Sequence, residues 1–363
     1  MAKWRIASNA PPCPGVSVVI FSLDGDFAAT LMPSTTPAPD ETHRNLAASL
    51  QRAGRLEEAA GAYRRLIAGG AAGARDHHAL ALIYAQTRQF ERAIEQFGMA
   101  LALDPNHAAA QCNLGLTLED LGRTTEAIAA LRAARRVAGD LPLIMYHLAA
   151  LGDIPAPRAC PPDYLVQLFD GYAGRFDAHL VAKLGYRGPQ LLLDSLVPLL
   201  APDAALDVID LGCGTGLCGA LFRPRARSLV GVDLSPLMLE QSRRRGVYDE
   251  LVKSDLAPAL LARPGGADVL LAADVFIYVG DLAPIFYAAA TALRAGGFFA
   301  FTLEIADCPD FTLCRSRRYA HNPAYIRRLA AETGLVERGF TRAILRAGEE
   351  APVTGAVVVM GRP

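Results

Sequence analysis

The amino-acid sequence predicts two domains, an all-α solenoid of helical repeats followed by an α/β domain with a mostly parallel sheet ending in an antiparallel hairpin. Three observations support this fold class. Small and apolar residues recur at a constant interval in the first half, a proline-rich segment divides the chain, and apolar strands alternate with helices in the second half. The length of 363 residues agrees, because single cores rarely grow beyond about 250–300 residues.

Composition and charge are those of a globular protein. Apolar residues make up 52% of the chain, and 36 Lys and Arg residues balance 37 Asp and Glu residues. Because nucleic-acid binders usually carry a basic excess, this balance predicts a small-molecule or peptide substrate and no nucleic-acid partner. The seven cysteines form no CxxC pair, and no histidine pair completes a zinc pattern. We therefore expect reduced thiols in a cytoplasmic protein that holds no metal.

Residues 1–41 are predicted to form a disordered or poorly ordered extension. The apolar run at 16–22 is shorter than the ~18 residues that a membrane span needs, and prolines interrupt the approach to it. Neither a signal peptide nor a membrane segment is therefore expected. Residues 33–41 have the composition of a flexible linker, and Met32 is an alternative start of the native chain.

Residues 42–152 contain the internal repeat. Ala59, Ala93 and Ala127 follow one another at the same interval, as their numbers show. Four leucines and three bulky residues keep the same period: Leu46, Leu80, Leu114 and Leu148, and Tyr63, Phe97 and Leu131. This spacing predicts two amphipathic helices per repeat. The small residue lies where the helices cross, and the bulky residue four positions later fills the space beside it.

The repeat resembles the tetratricopeptide repeat (TPR), which has the same period, and three full copies cover about 43–139. The resemblance implies a curved solenoid whose concave face can bind a protein partner or a peptide. Asn45 and Asn113 occupy equivalent positions where the family often holds a peptide backbone. Solvated helix faces, and a scaffolding role for the repeats, are the alternatives.

Residues 153–162 hold four prolines and are predicted to be a linker before a second domain at 163–363. Five apolar segments predict parallel strands, and helices fit between them. These segments are 206–211, 228–233, 247–255, 267–274 and 297–304. Two further stretches joined by a turn around Gly348 predict the antiparallel hairpin that ends the sheet.

Glycines and acidic residues follow three successive predicted strands. The first strand runs into residues 210–216, DLGCGTG, whose glycines allow a tight turn and a close approach to a ligand. Asp233 ends the second strand, where its carboxylate can accept hydrogen bonds from both hydroxyls of a ribose. Asp255 ends the third, where it can receive the amine of adenine. Together they predict a nucleoside site without phosphate-binding lysines or arginines.

Four segments of this half resemble the class I S-adenosylmethionine-dependent methyltransferases, which have a Rossmann-like fold. They are VIDLGCGTG (208–216), VGVDLS (230–235), KSDL (253–256) and AADVFIYVGDL (272–282). The resemblance implies S-adenosylmethionine as the cofactor and S-adenosylhomocysteine as the product.

The resemblance also implies the role of each residue at the cofactor. The glycine loop holds the methionine part, Asp233 the ribose, and the residues after the second and third strands the adenine. The implied residues are Asp210, Gly212, Cys213, Gly214, Gly216, Asp233, Leu234, Met238, Ser254, Asp255 and Leu256, with Ala273 and Asp274 beside the methionine and the transferred methyl group. Asp210 adds a field that suits a positively charged cofactor.

Residues 168–180 look like the lid of small-molecule members of this family. Tyr172 and Arg175 are candidates for closing over the methionine carboxylate, since they bring a hydroxyl and a positive charge. Phe176 is expected in a helix stripe packed on the core.

His321 and Tyr278 are the candidate catalytic residues. A histidine titrates near neutral pH, and His321 lies in the insert after the fifth parallel strand, which often forms part of a substrate lid. A residue at a helix start is the alternative role of His321, and packing is the alternative role of Tyr278.

The predicted function is methyl transfer to an oxygen or carboxylate of a small molecule or of a peptide- or carrier-bound substrate. The spacing of Gly214, Gly216 and Gly219 also satisfies G-x-G-x-x-G, so an NAD(P)-dependent oxidoreductase is the alternative enzyme. Gly212 and Asp255 favour the methyltransferase. A non-catalytic TPR adaptor with a vestigial S-adenosylmethionine pocket is the alternative outside enzymes.

Overall fold

The computed structural model describes residues 4–6, 21–23, 39–178, 185–347 and 352–363. The chain forms two compact units, Met1–Ile154 and Pro155–Pro363. Among the described residues, no helix combines the length and the apolar character that crossing a membrane requires.

The described part of the first unit is helical apart from one pair of short antiparallel strands. Most of the predicted extension lies outside the described residues. The elements are β1 (Trp4–Ile6), β2 (Phe21–Leu23), α1 (Pro39–Arg52), α2 (Leu56–Ala68), α3 (Ala74–Gln86), α4 (Phe90–Leu103), α5 (Ala108–Asp120), α6 (Thr124–Ala138) and α7 (Pro142–Ala150).

The TPR-like packing predicted from the period is confirmed. The three regularly spaced alanines are buried, and so are the bulky residues four positions after them. A side chain at Gly115 would place its Cβ 2.7 Å from Leu131, so α5 and α6 approach closely there. Among the four leucines that keep the period, Leu80 and Leu148 are buried, Leu114 is half-buried, and Leu46 is 46% exposed. It lies on α1, the first described helix of the stack, which has a neighbouring repeat on one side only.

The two asparagines do not form a peptide-binding ladder. Asn45 is exposed, whereas Asn113 is buried and its Nδ2 lies 3.1 Å from His78 Nε2. A buried amide that bonds a neighbouring helix is not available to a peptide backbone. The predicted peptide contact at Asn113 is therefore wrong.

The second unit consists of helices packed around a mostly parallel sheet. Its elements are α8 (Pro162–Tyr172), α9 (Gly188–Leu196), β3 (Leu206–Leu211), α10 (Leu217–Phe222), β4 (Ala226–Asp233), α11 (Pro236–Arg245), β5 (Glu250–Lys253), α12 (Leu256–Leu261), β6 (Ala267–Ala272), α13 (Ala283–Ala292), β7 (Leu293–Glu304), β8 (Phe311–Leu313), β9 (Tyr319–His321), α14 (Pro323–Glu332), β10 (Val336–Arg346) and β11 (Val353–Gly361).

Within the described residues, seven strands form the main sheet in the order β10-β11-β7-β6-β3-β4-β5. Strands β3 to β7 are parallel, β11 is antiparallel to β7, and β10 is antiparallel to β11. The five parallel strands and the hairpin are confirmed, although the third strand spans only Glu250–Lys253. The predicted turn around Gly348 lies outside the described residues.

Strand β6 separates two groups of strands along the carboxyl edge of the sheet. We call β3, β4 and β5 the cofactor half, because their ends carry the predicted cofactor residues. We call β7, β11 and β10 the hairpin half. Since β10 runs parallel to β7, the ends of β6, β7 and β10 meet at the same edge.

Two features were not expected from the sequence. Strands β8 and β9 pair as a short antiparallel ribbon in the insert after β7. The proline-rich segment is also not a free linker, because its backbone runs along residues 278–281. Cys160 N donates to Tyr278 O at 2.9 Å, and Arg158 O accepts from Gly280 N at 2.8 Å. Proline cannot donate from its nitrogen, but the backbone around it still offers carbonyls and amides to a neighbour.

Candidate active site

The glycine loop after β3 adopts a conformation that only glycine takes without strain. Gly212, Gly214 and Gly216 have φ angles of 65°, 55° and 92°. A Cβ at Gly212 would lie 2.6 Å from Val275 Cγ2, so the loop also touches the segment that follows β6. The loop therefore presents bare backbone at the carboxyl edge of the sheet.

Asp233 organises the loop from the end of β4. Its Oδ2 accepts from Gly214 N at 2.9 Å, and its Oδ1 accepts from Ser235 N at 2.8 Å. Burial raises the pKa of Asp233, while the backbone amides that it accepts from act in the opposite direction. The backbone amide of Leu234 also acts on this carboxylate, so at least one of its four lone-pair sites remains for a ribose hydroxyl.

Asp210 lies beneath the loop and is only 1% exposed. Its Oδ2 accepts from Tyr248 Oη at 2.6 Å. Burial raises the pKa of Asp210 to about 7, and the hydrogen bond from Tyr248 opposes this rise. The carboxylate is therefore bonded to a neighbouring side chain, and near neutral pH its charge is weaker than we expected for a field acting on the cofactor.

Glycines make room for the ring of Tyr248. A Cβ at Gly219 would lie 2.4 Å from Tyr248 Cζ, and one at Gly216 or Gly231 would lie 3.1 or 3.0 Å from the ring. Two glycines of the apparent dinucleotide fingerprint thus pack against a tyrosine. Sequence reasoning missed Tyr248, although an aromatic residue between two predicted strands is a signal for such packing.

The Tyr248→Phe substitution is expected to destabilise the second unit more at pH 8 than at pH 5. The folded-state pKa of Asp210 lies above the unfolded value near 3.9, so this group lowers stability as pH rises from about 4 to 7. Without the tyrosine hydroxyl the pKa rises further. We expect the free energy of unfolding to fall by about 1 kcal/mol at pH 5, where the hydrogen bond between Tyr248 and Asp210 is neutral. At pH 8, where that bond is charge-assisted, we expect a fall of about 2 kcal/mol.

Urea unfolding followed by circular dichroism at both pH values measures this difference. Tyr287→Phe is the matched control, because the Tyr287 side chain is exposed on α13. Equal losses at the two pH values in Tyr248→Phe would show that the hydroxyl does not stabilise an ionised Asp210.

Two carboxylates of residues 162–178 fasten this segment, one to the N-cap of α11 and the other to the glycine loop. Asp170 Oδ1 accepts from Ser235 Oγ at 2.5 Å. Asp177 accepts from Thr215 Oγ1 at 2.5 Å and forms an ion pair with Arg245. Sequence reasoning missed both carboxylates. Asp170 lies in α8 and Asp177 lies beyond its end, so no helical spacing in the sequence links them.

The lid residues are placed differently from the prediction. Arg175 is exposed, and Tyr172 is buried with its ring 5.1 Å from that of Phe176 in an edge-to-face contact. Phe176 Cε1 lies 4.0 Å from the position of a Cβ at Gly214, so Phe176 is the lid residue at the loop. The expectation that Phe176 belongs only to the core is wrong, because the chain leaves its helical course after Tyr172.

The other predicted cofactor residues of the glycine loop and β4 have mixed exposure. Leu234 is half-buried after β4, and Met238 is buried in the first turn of α11. Cys213 is buried with its Sγ 3.9 Å from Ser242 Oγ, so only its backbone lies in the loop. Ser242 Oγ in turn donates to Gly214 O at 2.8 Å.

Residues after β5 and β6 complete the set. Ser254 and Ala273 are half-buried, Leu256 is buried, and Asp255 is exposed. Asp255 is the N-cap of α12, and its Oδ1 accepts from Leu256 N at 2.7 Å. All of these residues lie at the carboxyl edge of the cofactor half or beside it, and their individual roles remain predictions.

Asp274 follows β6 and joins a buried charge cluster. Its φ of 59° is unusual for a residue other than glycine, although aspartate tolerates it better than most. Its Oδ2 pairs with Arg346, which is 2% exposed and also reaches Glu304 Oε1 at 2.5 Å. Arg318 Nη1 lies 4.0 Å from Glu304 Oε1. Sequence reasoning assigned no role to Arg346 or Glu304.

Tyr278 and His321, the predicted catalytic residues, lie on either side of one turn. The Tyr278 ring meets Phe169 of the lid edge-to-face at 5.4 Å, and burial raises the pKa of its hydroxyl. His321 is fully buried at the end of β9, where its Nε2 contacts Val279 O at 2.9 Å and Gly280 O at 3.1 Å. Burial lowers the pKa of His321 to about 4.

These contacts correct the expectation for His321. A nitrogen that faces two carbonyls must carry the proton, so Nε2 is a donor and is not available as a base. Nδ1 is buried and has no hydrogen-bond partner among the described residues. The ring braces the turn that carries Tyr278. The alternative role at a helix start is confirmed, because Asn322 caps α14, Pro323 is its first residue, and His321 immediately precedes the cap.

Comparisons with known proteins agree with this architecture. The family model described as a methyltransferase domain matches residues 209–301, and that of the tetratricopeptide repeat matches residues 78–140. Human methyltransferase-like protein 27 is 36% identical over 136 residues, which are 37% of this chain and 53% of that protein. The chain thus spans about half the length of this relative.

A ubiquinone biosynthesis O-methyltransferase from Ralstonia nicotianae is 31% identical over 174 residues, covering 43% of this chain and 71% of that protein. The solved 1,6-didemethyltoxoflavin N1-methyltransferase from Burkholderia thailandensis is 17% identical with a TM-score of 0.44, covering 58% of this chain and 93% of that one.

The fold and the relatives together define an enzyme class with a parallel sheet, a terminal hairpin and a glycine loop. The chain belongs to the S-adenosylmethionine-dependent methyltransferases and carries TPR repeats before that domain. The cofactor of this family is S-adenosylmethionine, and membership argues against the oxidoreductase alternative.

Proposed function

We propose that residues 163–363 transfer the methyl group of S-adenosylmethionine to an oxygen or carboxylate of a small molecule, or of a peptide- or carrier-bound substrate. One observation supports this more than any other. Asp233 fastens the glycine loop through Gly214 N and keeps acceptor capacity for a ribose hydroxyl at the same edge. The name of the Ralstonia relative, an O-methyltransferase, supports oxygen as the acceptor atom.

The residues present fit the cofactor. The positive φ angles of Gly212 and Gly214 give a tight backbone turn that a larger residue would strain, and this suits the methionine part. Asp233 would hold the ribose, Leu234 and Met238 would pack on the adenine, and Asp255 would receive its amine. The backbone of Ala273 and Asp274 would line the methionine.

The chemistry that the bound cofactor supplies is an electrophilic methyl group on a sulfonium. The protein's own task is to orient the acceptor in line with that group and to exclude water. The lid supports the second task, because Phe176 lies beside Gly214, Asp177 bonds to Thr215 of the loop, and Asp170 bonds to Ser235 at the start of α11.

The TPR repeats are proposed to dock a substrate carrier or a protein partner. The regular period and its buried alanines support a solenoid, which offers one extended concave face. A small-molecule substrate would not need this face, so the repeats and the carrier-bound form of the substrate belong together in the proposal.

Transfer of tritium from labelled S-adenosylmethionine tests both parts. We expect the full chain to label acceptors in a small-molecule panel of phenols, alcohols, amines and carboxylates, and more strongly a peptide or carrier that presents the same group. Deleting residues 1–152 should lower the rate on the presented acceptor about tenfold, as lost effective concentration predicts, and leave the free acceptor unchanged.

Circular dichroism must show that the shortened chain is folded. If the full and the shortened chain methylated the peptide- or carrier-bound acceptor at equal rates, the proposed docking role of the repeats would be refuted. Cofactor binding without any methyl transfer would support the alternative of a TPR adaptor with a vestigial pocket.

A further inference from the structure

The two carboxylate oxygens of Asp274 differ in their contacts. Oδ2 pairs with Arg346, and the backbone N donates to Thr302 Oγ1 at 2.7 Å. Oδ1 is shielded from solvent and has no hydrogen-bond partner among the described residues. A buried carboxylate oxygen without a donor is costly in a folded protein, so its retention calls for a ligand or a functional role.

The charges around Asp274 come from the hairpin half. Arg346 ends β10 and Glu304 ends β7, and both lie on the side of β6 away from the glycine loop. On the other side, Val275 lies against the position of a Cβ at Gly212. Asp274 thus stands where the cofactor half meets the hairpin half, beside the proposed site of the transferred methyl group.

Building on the proposed function, we propose that Asp274 Oδ1 accepts a hydrogen bond from the nucleophilic group of the methyl acceptor. The acceptor is then a hydroxyl compound and not a carboxylate, because a carboxylate has no proton to donate and would repel Asp274. Arg346 is the positioning residue, since it fixes Oδ2 and leaves Oδ1 for the acceptor. This narrows the acceptor classes of the proposed function to one.

The step balances without a further reactant. The hydroxyl oxygen forms a bond to the methyl carbon while the carbon–sulfur bond breaks, and its electron pair stays on sulfur as S-adenosylhomocysteine forms. The hydroxyl proton passes along its hydrogen bond to Asp274 Oδ1 and from there to water.

Asp274→Asn is the informative substitution. Asparagine accepts a positive φ as readily as aspartate does, so the backbone is retained. Its amide oxygen can stay on Arg346, which places the NH2 group where Oδ1 stood and sets a donor against a donor. We expect kcat on hydroxyl acceptors to fall about 100-fold, as for loss of a general base. The Kd for S-adenosylhomocysteine should change by less than about twofold.

Arg346→Lys tests the positioning role. We expect kcat to fall about tenfold, KM to change little, and the double variant with Asp274→Asn to be no slower than Asp274→Asn alone. A merely structural arginine would give additive losses. Asp268→Asn and Arg294→Lys are the matched controls, because these residues form a 2.8 Å ion pair at the opposite edge of β6 and β7.

The assay uses the full chain, tritiated S-adenosylmethionine and a panel of phenol, catechol, benzyl alcohol, benzoate and succinate. Alkaline treatment releases labelled methanol from methyl esters but not from ethers. Alkali-stable products that fall in Asp274→Asn support the proposal. Methyl esters as products would overturn this inference and leave the proposed function standing. A tenfold weaker Kd for S-adenosylhomocysteine in Asp274→Asn would have the same consequence, because it would assign Oδ1 to the cofactor. Cofactor binding without any labelled product counts against the proposed function and this inference together.

Discussion

Replacing Asp233 with alanine is expected to raise the Kd for S-adenosylhomocysteine at least about 100-fold. The carboxylate would lose its bonds to a ribose diol, and hydrogen bonds to a charged group contribute about 1.5–3 kcal/mol each. The substitution would also leave Gly214 N and Ser235 N without their present acceptors. The loop would then no longer be held in a shape that matches the cofactor. Since about 1.4 kcal/mol corresponds to a tenfold change in affinity, two lost bonds suffice for the expected change.

Isothermal titration calorimetry with S-adenosylhomocysteine measures this effect. Asp249→Ala is the matched control, because Asp249 also accepts from a backbone amide, Leu229 N at 2.8 Å, but precedes β5 away from the glycine loop. Its variant should bind with nearly wild-type affinity. Wild-type affinity in Asp233→Ala would refute the assignment of this carboxylate to the cofactor.

The cofactor half was predictable because its signals are local in sequence. Gly212 and Asp233 each end a strand whose apolar pattern is visible, and parallel strands bring such ends to one edge of the sheet. The strand order itself need not be known for that conclusion. The location of the other residues that directly follow these strands is predictable from the apolar pattern in the same way.

The hairpin half was not predictable, because its contacts join residues far apart in sequence. Asp274 and Arg346 are separated by 72 residues, and no periodicity links the end of β6 to the end of β10. The placement of His321 was not predictable for a related reason. Its side-chain chemistry suggested a base, but only the packing of β9 against residues 279–280 reveals that the ring is buried and already bonded.

Gly219 illustrates how a motif can be matched for a reason other than the usual one. The third glycine of G-x-G-x-x-G suggested a dinucleotide site, in which it allows close packing of helix on strand. Here the space it leaves is filled by Tyr248, whose hydroxyl reaches Asp210. The glycine thus preserves a hydrogen bond beneath the loop, and sequence spacing alone does not separate the two uses.

Gly219→Ala is accordingly expected to destabilise the second unit by about 2 kcal/mol, although alanine is the better helix former. The new Cβ would lie 2.4 Å from Tyr248 Cζ and Oη. The ring cannot move aside, since Gly216 and Gly231 border it and its hydroxyl is bonded to Asp210. We expect the thermal midpoint to fall by about 4–8 °C and cofactor affinity to fall with it.

The sign of this effect should reverse when the ring is removed. In a Tyr248→Ala background no side chain opposes the new methyl group, and Gly219 lies inside α10, where alanine is favoured by about 1 kcal/mol over glycine. Circular dichroism melts of the two single variants and the double variant complete the cycle. Gly339→Ala is the control, because nothing lies within 4 Å of its would-be Cβ. A Gly219→Ala protein as stable as wild type would mean that the glycine is not needed to seat Tyr248.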